Sequence, residues 1–128
     1  MNVLLDTHVI VWLGYDSPHL SPRVRSFLLE EASEVYVSAA SAWEIAMKVR
    51  LGRWPEANAL EAAFSEKMKQ AGFTTLPVTV DDALRAGRLP GAHGDPFDRL
   101  VAAQALAMDI SLVSIDVKMD QFGVRRIW

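Results

Sequence analysis

The sequence predicts an α/β protein with a central, mostly parallel sheet of about five strands and helices on both faces. Short apolar runs such as Val3–Leu5 alternate with longer segments whose apolar residues follow helical spacing. Helix-starting pairs such as Ser21-Pro22 precede these segments, and glycines such as Gly52 follow them. A chain of 128 residues with 51% hydrophobic content is expected to fold as a single domain, residues 1–128.

The first 38 residues of the chain are predicted to contain two strands separated by two helices. Asn2–Leu5 is an apolar run of the length of a buried strand, and Thr7–Tyr15 follows it with apolar residues at helical spacing. Ser21 is expected to cap a second helix that begins at Pro22 and runs to about residue 32. Val35–Ser38 is predicted to be the second strand because it is rich in β-branched and aromatic residues.

Two helices are predicted in the middle of the chain. Ser41 and Glu44 match the Ser-x-x-Glu capping box, so a helix is expected to open there and to end before Gly52. Ala57–Ala71 carries apolar residues at helical spacing and is followed by Gly72, which predicts one amphipathic helix.

In the last part of the chain, Asp95 precedes a proline, as an N-cap precedes the first residue of a helix. We therefore expect a long helix from there to Met108 or Asp109. The other predicted elements are a strand, a short helix, a Pro/Gly loop and two strands: Thr74–Val78, Asp81–Arg88, Leu89–Gly94, Ser111–Ser114 and Gly123–Ile127.

The composition excludes some classes of protein. There are no cysteines, so disulfides and thiolate metal sites are excluded, which fits a reducing cytoplasm. No signal peptide and no bilayer-spanning apolar run are recognisable, so we expect a cytoplasmic protein without membrane partners. The net charge of -3 gives no general bias toward nucleic acid, but Lys48, Arg50 and Arg53 are candidates for contact with backbone phosphates.

Four acidic residues are the main candidates for chemistry: Asp6, Glu44, Asp98 and Asp116. Each follows a predicted strand or lies early in a predicted helix. If the strands are parallel neighbours, the carboxylates converge at the carboxyl edge of the sheet, where open α/β sheets place their sites. Carboxylates gathered without cysteine or paired histidine are hard oxygen ligands, which suit Mg²⁺ or Mn²⁺.

Each acid also has a purely structural interpretation. Asp6 could cap the helix that follows it, although Thr7 could do so instead and leave Asp6 free. Glu44 could serve only the capping box, and Asp116 could be an ordinary loop residue. Asp95 is the better candidate for capping its helix, which leaves Asp98 as the freer carboxylate.

Electrostatic repulsion favours the metal interpretation if the four acids converge. Two carboxylates about 6 Å apart repel by roughly 3 kcal/mol at an effective dielectric constant of about 20. Four acids make six pairs, and even after generous screening their summed repulsion approaches the whole stability of a small domain, about 5–15 kcal/mol. The cluster must therefore protonate in part, spread apart or bind a cation. Bridging divalent ions can deprotonate a water and stabilise the leaving oxygen in phosphoryl transfer.

Aromatic residues and histidines add weaker candidates. His8 is close to Asp6 in the sequence and could touch the site, and His93 lies in the loop before Asp95 and could reach a substrate, although either could be an ordinary packed or surface residue. Trp43 or Trp54 could stack on a base, although tryptophans are more often part of a core or an interface. The sequence has neither a Gly-x-Ser-x-Gly elbow nor a Gly-rich phosphate loop, so nothing indicates a protein nucleophile.

Four segments together resemble the PIN domain, and within it the VapC-type ribonuclease toxins of toxin–antitoxin pairs. The segments match in order and spacing over essentially the whole chain: Leu4–His8, Ser38–Ile45, His93–Ala105 and Leu112–Asp116. The resemblance implies a three-layer α/β/α fold and Mg²⁺- or Mn²⁺-dependent cleavage of RNA. It assigns the four catalytic and metal-binding acids of the family to Asp6, Glu44, Asp98 and Asp116, with accessory roles for Thr7, Asp95, Arg99 and Ser114.

The resemblance also implies a homodimer and a cognate antitoxin protein that covers the acidic pocket. Two other functions are compatible with the sequence. One is a PIN-like nuclease of RNA processing or DNA maintenance, and the other is a binding module that keeps the fold without catalysis.

Overall fold

The computed structural model describes residues 1–32 and 34–128 and contains one five-stranded sheet in which every neighbouring pair of strands is parallel. The strands are β1 (Asn2–Leu5), β2 (Glu34–Ser38), β3 (Thr74–Leu76), β4 (Ser111–Val113) and β5 (Arg126–Ile127). The α-helices are α1 (Thr7–Gly14), α2 (Pro22–Glu30), α3 (Ala39–Arg50), α4 (Asn58–Ala62), α5 (Phe64–Gln70), α6 (Val80–Arg88) and α7 (Pro96–Met108).

Strand β1 lies at the centre of the sheet, whose order is β3-β2-β1-β4-β5. Its residue Val3 pairs with Val35 of β2 on one side, and Leu4 pairs with Leu112 of β4 on the other. Val3, Leu4 and Leu5 are fully buried, as expected for a parallel strand with both faces covered by helices.

The two faces of the sheet support two separate apolar clusters. Val3 and Leu5 belong to one cluster, while Leu4 points to the other, where it joins Val101 of α7 and Met119. This alternation along β1 follows from the two-residue period of a strand. The predicted three-layer α/β/α architecture with a central parallel sheet is therefore confirmed.

The connections place a crevice at the carboxyl end of β1. From β1 the chain moves to β2 and β3 on one side, and it later returns to β4 and β5 on the other. Such a change of direction opens a crevice between the loops that leave the two central strands. Asp6 follows β1 and Asp116 lies three residues after β4, so both acids belong to this crevice.

The predicted start of α3 is wrong. The helix begins at Ala39, and its N-cap is Ser38, whose Oγ accepts a hydrogen bond from the backbone N–H of Ala40 at 3.0 Å. Ser41 and Glu44 therefore form no capping box, because both lie inside the helix. Strand β2 ends at Ser38 and α3 begins at the next residue, so Ser38 both ends the strand and caps the helix.

The predicted single helix Ala57–Ala71 is also wrong. A 3₁₀ turn at Pro55–Ala57 leads into α4, and Ala63 separates α4 from α5 with φ -137° and ψ 35°. Leu60 of α4 and Met68 of α5 are both buried in the same cluster. Helical spacing alone does not reveal this break, because the apolar residues on both sides of it still point into one core.

The remaining boundaries differ by a few residues. Strand β3 ends at Leu76, since Pro77 has no N–H to continue the ladder. Strand β5 begins only at Arg126, after a 3₁₀ segment at Val117–Phe122 that ends at Gly123 with φ 80°. Across residues 1–32 and 34–128, no helix combines the length and apolarity needed to cross a lipid bilayer.

Candidate active site

A pocket of about 490 Å³ opens at the carboxyl edge of the sheet, and all four predicted acids line it. Asp6, Glu44, Asp98 and Asp116 come from four different parts of the chain, and the parallel topology brings them together. The other lining residues are His8, Trp12, Lys48, His93, Asp95 and Ile115.

Asp6 is buried, with 4% exposure, and both of its carboxylate oxygens are hydrogen-bonded. Oδ1 accepts from the backbone N–H of Thr7 at 2.8 Å, so Asp6 caps α1. Of the two capping alternatives, the structure has Asp6 rather than Thr7, whose hydroxyl donates to Ser41 Oγ at 2.9 Å. Burial raises the pKa of Asp6, although its hydrogen bonds and the nearby His8 oppose this.

Ser114 joins the first and last acids of the pocket. Its fully buried hydroxyl donates to Asp6 Oδ2 at 2.6 Å and accepts from the backbone N–H of Asp116 at 3.1 Å. One oxygen therefore fixes the carboxylate after β1 and the backbone after β4.

Glu44 lies in the second turn of α3 and is 3% exposed. Its Oε2 accepts a hydrogen bond from Lys48 Nζ at 2.6 Å, whereas Oε1 is buried with no hydrogen-bond partner among the described residues. Sequence reasoning missed the pair with Lys48, although two opposite charges four residues apart in a helix are a recognisable signal. Such an orphaned carboxylate oxygen in the pocket lining calls for a ligand.

Asp95 and Asp98 divide their roles at the start of α7. Asp95 Oδ1 accepts from the backbone N–H groups of Phe97 and Asp98, at 2.9 and 3.0 Å, so Asp95 caps the helix. The Asp98 carboxylate is then left to face the pocket, where its Oδ2 lies 2.6 Å from His93 Nε2.

The pKa of Asp98 is raised from 3.8 to about 6. Burial is the main cause, the hydrogen bond with His93 opposes it, and the charges of Asp6, Asp95 and Glu44 add to it. Carboxylate repulsion in the pocket is thus relieved in two of the ways expected from electrostatics. Protonation becomes easier at Asp6 and Asp98, and a cation, Lys48, neutralises Glu44.

Asp116 is half-buried and its Oδ1 accepts from the backbone N–H of Lys118 at 2.9 Å. Ligand atoms of Asp116, Asp98 and His93 all lie within 4.8 Å of one another. These three side chains form the tight part of the pocket, with Asp6 and Glu44 on its buried side. His93 had been a candidate only for substrate contact, and its position before Asp95 did not reveal this grouping.

Arg99 lies outside the pocket lining and acts on the loop that carries His93. Its guanidinium donates to three backbone carbonyl oxygens: to Ala86 at 3.0 Å, to His93 at 2.8 Å and to Leu89. It also lies over the Phe122 ring, 5.3 Å from the centroid. This side chain therefore ties the loop to α7.

The structure distinguishes among the basic and tryptophan residues that were candidates for contact with phosphates or bases. Lys48 and Arg53 line a second pocket beside the acidic one, together with Trp54, whereas Arg50 is exposed and lines neither. Trp43 is 57% exposed, packs edge-on against Phe97 and lines neither pocket. Trp12 of α1 lines both.

Comparison with known proteins identifies the class to which this fold and site belong. The sequence profile of the PIN domain matches residues 3–124. The chain therefore belongs to the PIN domain family.

Particular relatives in this family are VapC ribonucleases. Ribonuclease VapC22 of Mycobacterium tuberculosis is 31% identical over 119 residues, which are 92% of this chain and 89% of the relative. Ribonuclease VapC16 of the same organism is 34% identical over 91 residues, 65% of this chain, and the match spans 62% of that relative's length, less than two thirds. The structure of VapBC2 from Rickettsia felis, bound to a DNA fragment from its promoter, superposes with a TM-score of 0.72 at 18% identity over 99% of this chain and 98% of that one.

Proposed function

We propose that this protein is a metal-dependent endoribonuclease and the toxin of a toxin–antitoxin pair. Membership of the PIN family and similarity to VapC ribonucleases over most of the chain support the reaction class. The observation that carries the proposal is the convergence of Asp6, Glu44, Asp98 and Asp116 on one pocket.

The residues of the pocket fit a divalent metal ion. Oxygen donors dominate the lining, which suits Mg²⁺ or Mn²⁺ rather than a softer metal. The buried Oε1 of Glu44 has no partner in the described part of the chain, and the tight group around Asp98 and Asp116 provides further ligand atoms. We assign the ion to these carboxylates and to Asp6, with His93 at the rim. When bound, the ion supplies an activated water and charge stabilisation for phosphodiester hydrolysis.

The side chains around the acids hold the site in place. Ser114 orients Asp6 and the backbone of Asp116, Asp95 caps the helix that carries Asp98, and the Thr7 hydroxyl joins α1 to Ser41 of α3. Arg99 holds the loop of His93. Lys48 neutralises Glu44 while no cation fills the pocket, and its ammonium group is then available to a phosphate once the acids bind a metal ion.

The proposed partners follow from the family. The substrate is RNA, and a cognate antitoxin covers the acidic pocket of a homodimeric toxin in the cytoplasm. A covering partner with a basic side chain would satisfy the same carboxylates that a metal ion satisfies, since both neutralise the cluster.

Cleavage of total cellular RNA tests the proposed activity. Purified protein is incubated with Mg²⁺ or Mn²⁺ and, separately, with EDTA. The inactive control is Asp98→Asn. The matched control is Asp109→Asn, at the other end of α7, where the replaced carboxylate is solvent-exposed and the left-handed backbone (φ 53°) also suits asparagine.

Discrete fragments that require metal and the Asp98 carboxylate, and that Asp109→Asn still produces, are the expected result. Fragments that persist in EDTA or with Asp98→Asn would contradict the proposal. Metal binding without any cleavage of RNA would favour the catalytically silent binding module.

A further inference from the structure

A second pocket of about 400 Å³ adjoins the acidic one and shares three of its lining residues, His8, Trp12 and Lys48. We call it the aromatic pocket. The rest of its lining is aromatic or charged: Tyr15, His19, Arg53, Trp54 and Glu56. Because three residues line both pockets, a ligand extended from one to the other passes directly over them.

Rings in the aromatic pocket lie close together. The His8 ring is 5.0 Å from the Trp54 ring and 5.6 Å from the Trp12 ring, measured between centroids. Trp12 and His19 are 5.4 Å apart with an angle of 30° between their planes. His8 and His19 are exposed and Trp12 is half-buried, whereas Trp54 is buried and forms the floor. The outer side of this packed ring cluster is thus accessible to a ligand.

Positive charge accompanies these rings. Lys48 Nζ stands at the boundary of the two pockets, 2.6 Å from Glu44 Oε2 and 5.1 Å from the centroid of the Trp54 ring. Arg53 is exposed, and its guanidinium makes no hydrogen bond or ion pair within residues 1–32 and 34–128, although its backbone N–H donates to the Lys48 carbonyl at 2.9 Å. Glu56 is the single carboxylate in the described lining of the aromatic pocket. The chemistry suits a ligand with a flat apolar ring and a neighbouring negative charge.

We propose that the aromatic pocket binds an unpaired nucleobase of the RNA substrate, next to the nucleotide cleaved in the acidic pocket. The base stacks on the outer side of the packed Trp12–His19 pair, and Lys48 and Arg53 contact the adjoining phosphates. Stacking on aromatic rings tolerates any base, so this subsite selects single-stranded RNA rather than a particular sequence. The inference rests on the proposed ribonuclease function, because it places part of the same substrate.

Binding of RNA to the metal-free protein tests the subsite without any cleavage. The probe is a fluorescein-labelled RNA single strand of about twelve nucleotides, a length within the range that domains binding single strands cover. It is compared with a ribose-phosphate strand of equal length that lacks bases. Fluorescence anisotropy in EDTA at low salt gives both dissociation constants.

The variants are Trp12→Leu, Trp12→Phe and His19→Ala, with Trp43→Leu as the matched loss of an indole away from both pockets. Trp12→Leu is expected to weaken binding of the intact strand by about 5- to 150-fold, the range of one lost base stack. Trp12→Phe restores most of it, His19→Ala weakens it in the same direction, and Trp43→Leu leaves it unchanged. Since His19 is exposed, its variant reports on the pocket even if Trp12→Leu unfolds.

Two results would overturn the subsite: equal affinity of the protein for the intact and base-free strands, or wild-type affinity in both Trp12→Leu and His19→Ala. Metal-dependent cleavage is measured on the same samples. If the wild-type protein cleaves RNA but the aromatic variants bind it as tightly as the wild type, only the subsite is refuted. If binding depends on the bases and is lost in Trp12→Leu, but the wild-type protein cleaves no RNA, only the proposed ribonuclease function is refuted.

Discussion

Replacing Asp98 by asparagine should raise the thermal stability of the metal-free protein. The folded-state pKa of Asp98, about 6, lies above its ordinary value of 3.8. The folded protein therefore binds this proton more tightly than the unfolded chain does, and ionisation of Asp98 opposes folding. This loss of folding free energy is absent below about pH 4. It grows as the pH rises between the two pKa values and is complete above about pH 6.

The size of the effect follows from the difference between these pKa values. It corresponds to about 3 kcal/mol before solvent screening. The Asp98 side chain retains 17% of its exposure and lies on an open pocket, so we expect about 1–2 kcal/mol after screening. For a domain of this size, that is about 4–8 °C in melting temperature. Asparagine preserves the shape of the side chain and can still hydrogen-bond to His93.

Scanning calorimetry in EDTA between pH 4 and pH 8 measures this difference. Asp98→Asn should melt above the wild-type protein at pH 7 and match it at pH 4. A smaller pH slope should remain in the variant, because burial raises the pKa of Asp6 as well. The control Asp109→Asn should follow the wild-type curve. A variant that melts below the wild-type protein at pH 7, or keeps its full pH slope, would refute the electrostatic reasoning.

Three further variants test other contacts of the site. Glu44→Gln should fold but bind Mn²⁺ more weakly and cleave less RNA, because the buried carboxylate is a proposed metal ligand. Calorimetric titration with Mn²⁺ checks this, and wild-type affinity would contradict it. Ser114→Ala should lower the free energy of unfolding by about 1–3 kcal/mol, since it leaves Asp6 Oδ2 without its donor; an unchanged urea midpoint would count against that bond. Arg99→Gln should speed hydrogen exchange in the loop of His93 without unfolding α7, and unchanged exchange there would show that the three carbonyl contacts are dispensable.

Much of the fold was predictable because local patterns and global topology agree. The apolar run at Val3–Leu5 is buried on both faces, as its uniform composition indicates. Ser21 and Asp95 cap their helices through the bonds that their positions predict. The alternation of strands and helices then required a parallel sheet, and that sheet brought the four acids to one edge.

The two wrong helix predictions have different origins: two cap signals compete at the start of α3, and no local signal marks the break between α4 and α5. Ser38 and Ser41 are both acceptable helix caps, and tertiary structure decided between them because Ser41 is needed inside the helix to meet the Thr7 hydroxyl. The break at Ala63 has no proline or glycine to announce it. The helices on both sides of it pack into one core, which keeps the apolar spacing continuous across the break.

Side-chain contacts of the site were less predictable than its location. The bond from Ser114 to Asp6 joins residues 108 positions apart, and no sequence pattern specifies such a pair. Likewise, the meeting of His93 with Asp116 depends on a loop whose path Arg99 fixes. In contrast, the pair between Glu44 and Lys48 has the spacing of helical neighbours and was within reach of the sequence.

The most direct test of the central claim is a Mn²⁺ titration followed by electron paramagnetic resonance, in which bound Mn²⁺ loses its sharp free-ion signal. The wild-type protein and Asp109→Asn should bind Mn²⁺ equally. Each of the four carboxylate replacements (Asp6→Asn, Glu44→Gln, Asp98→Asn and Asp116→Asn) should weaken binding by about tenfold or more. Undiminished binding in these four variants, or no binding by the wild-type protein, would contradict the assignment of the acidic pocket as a metal site.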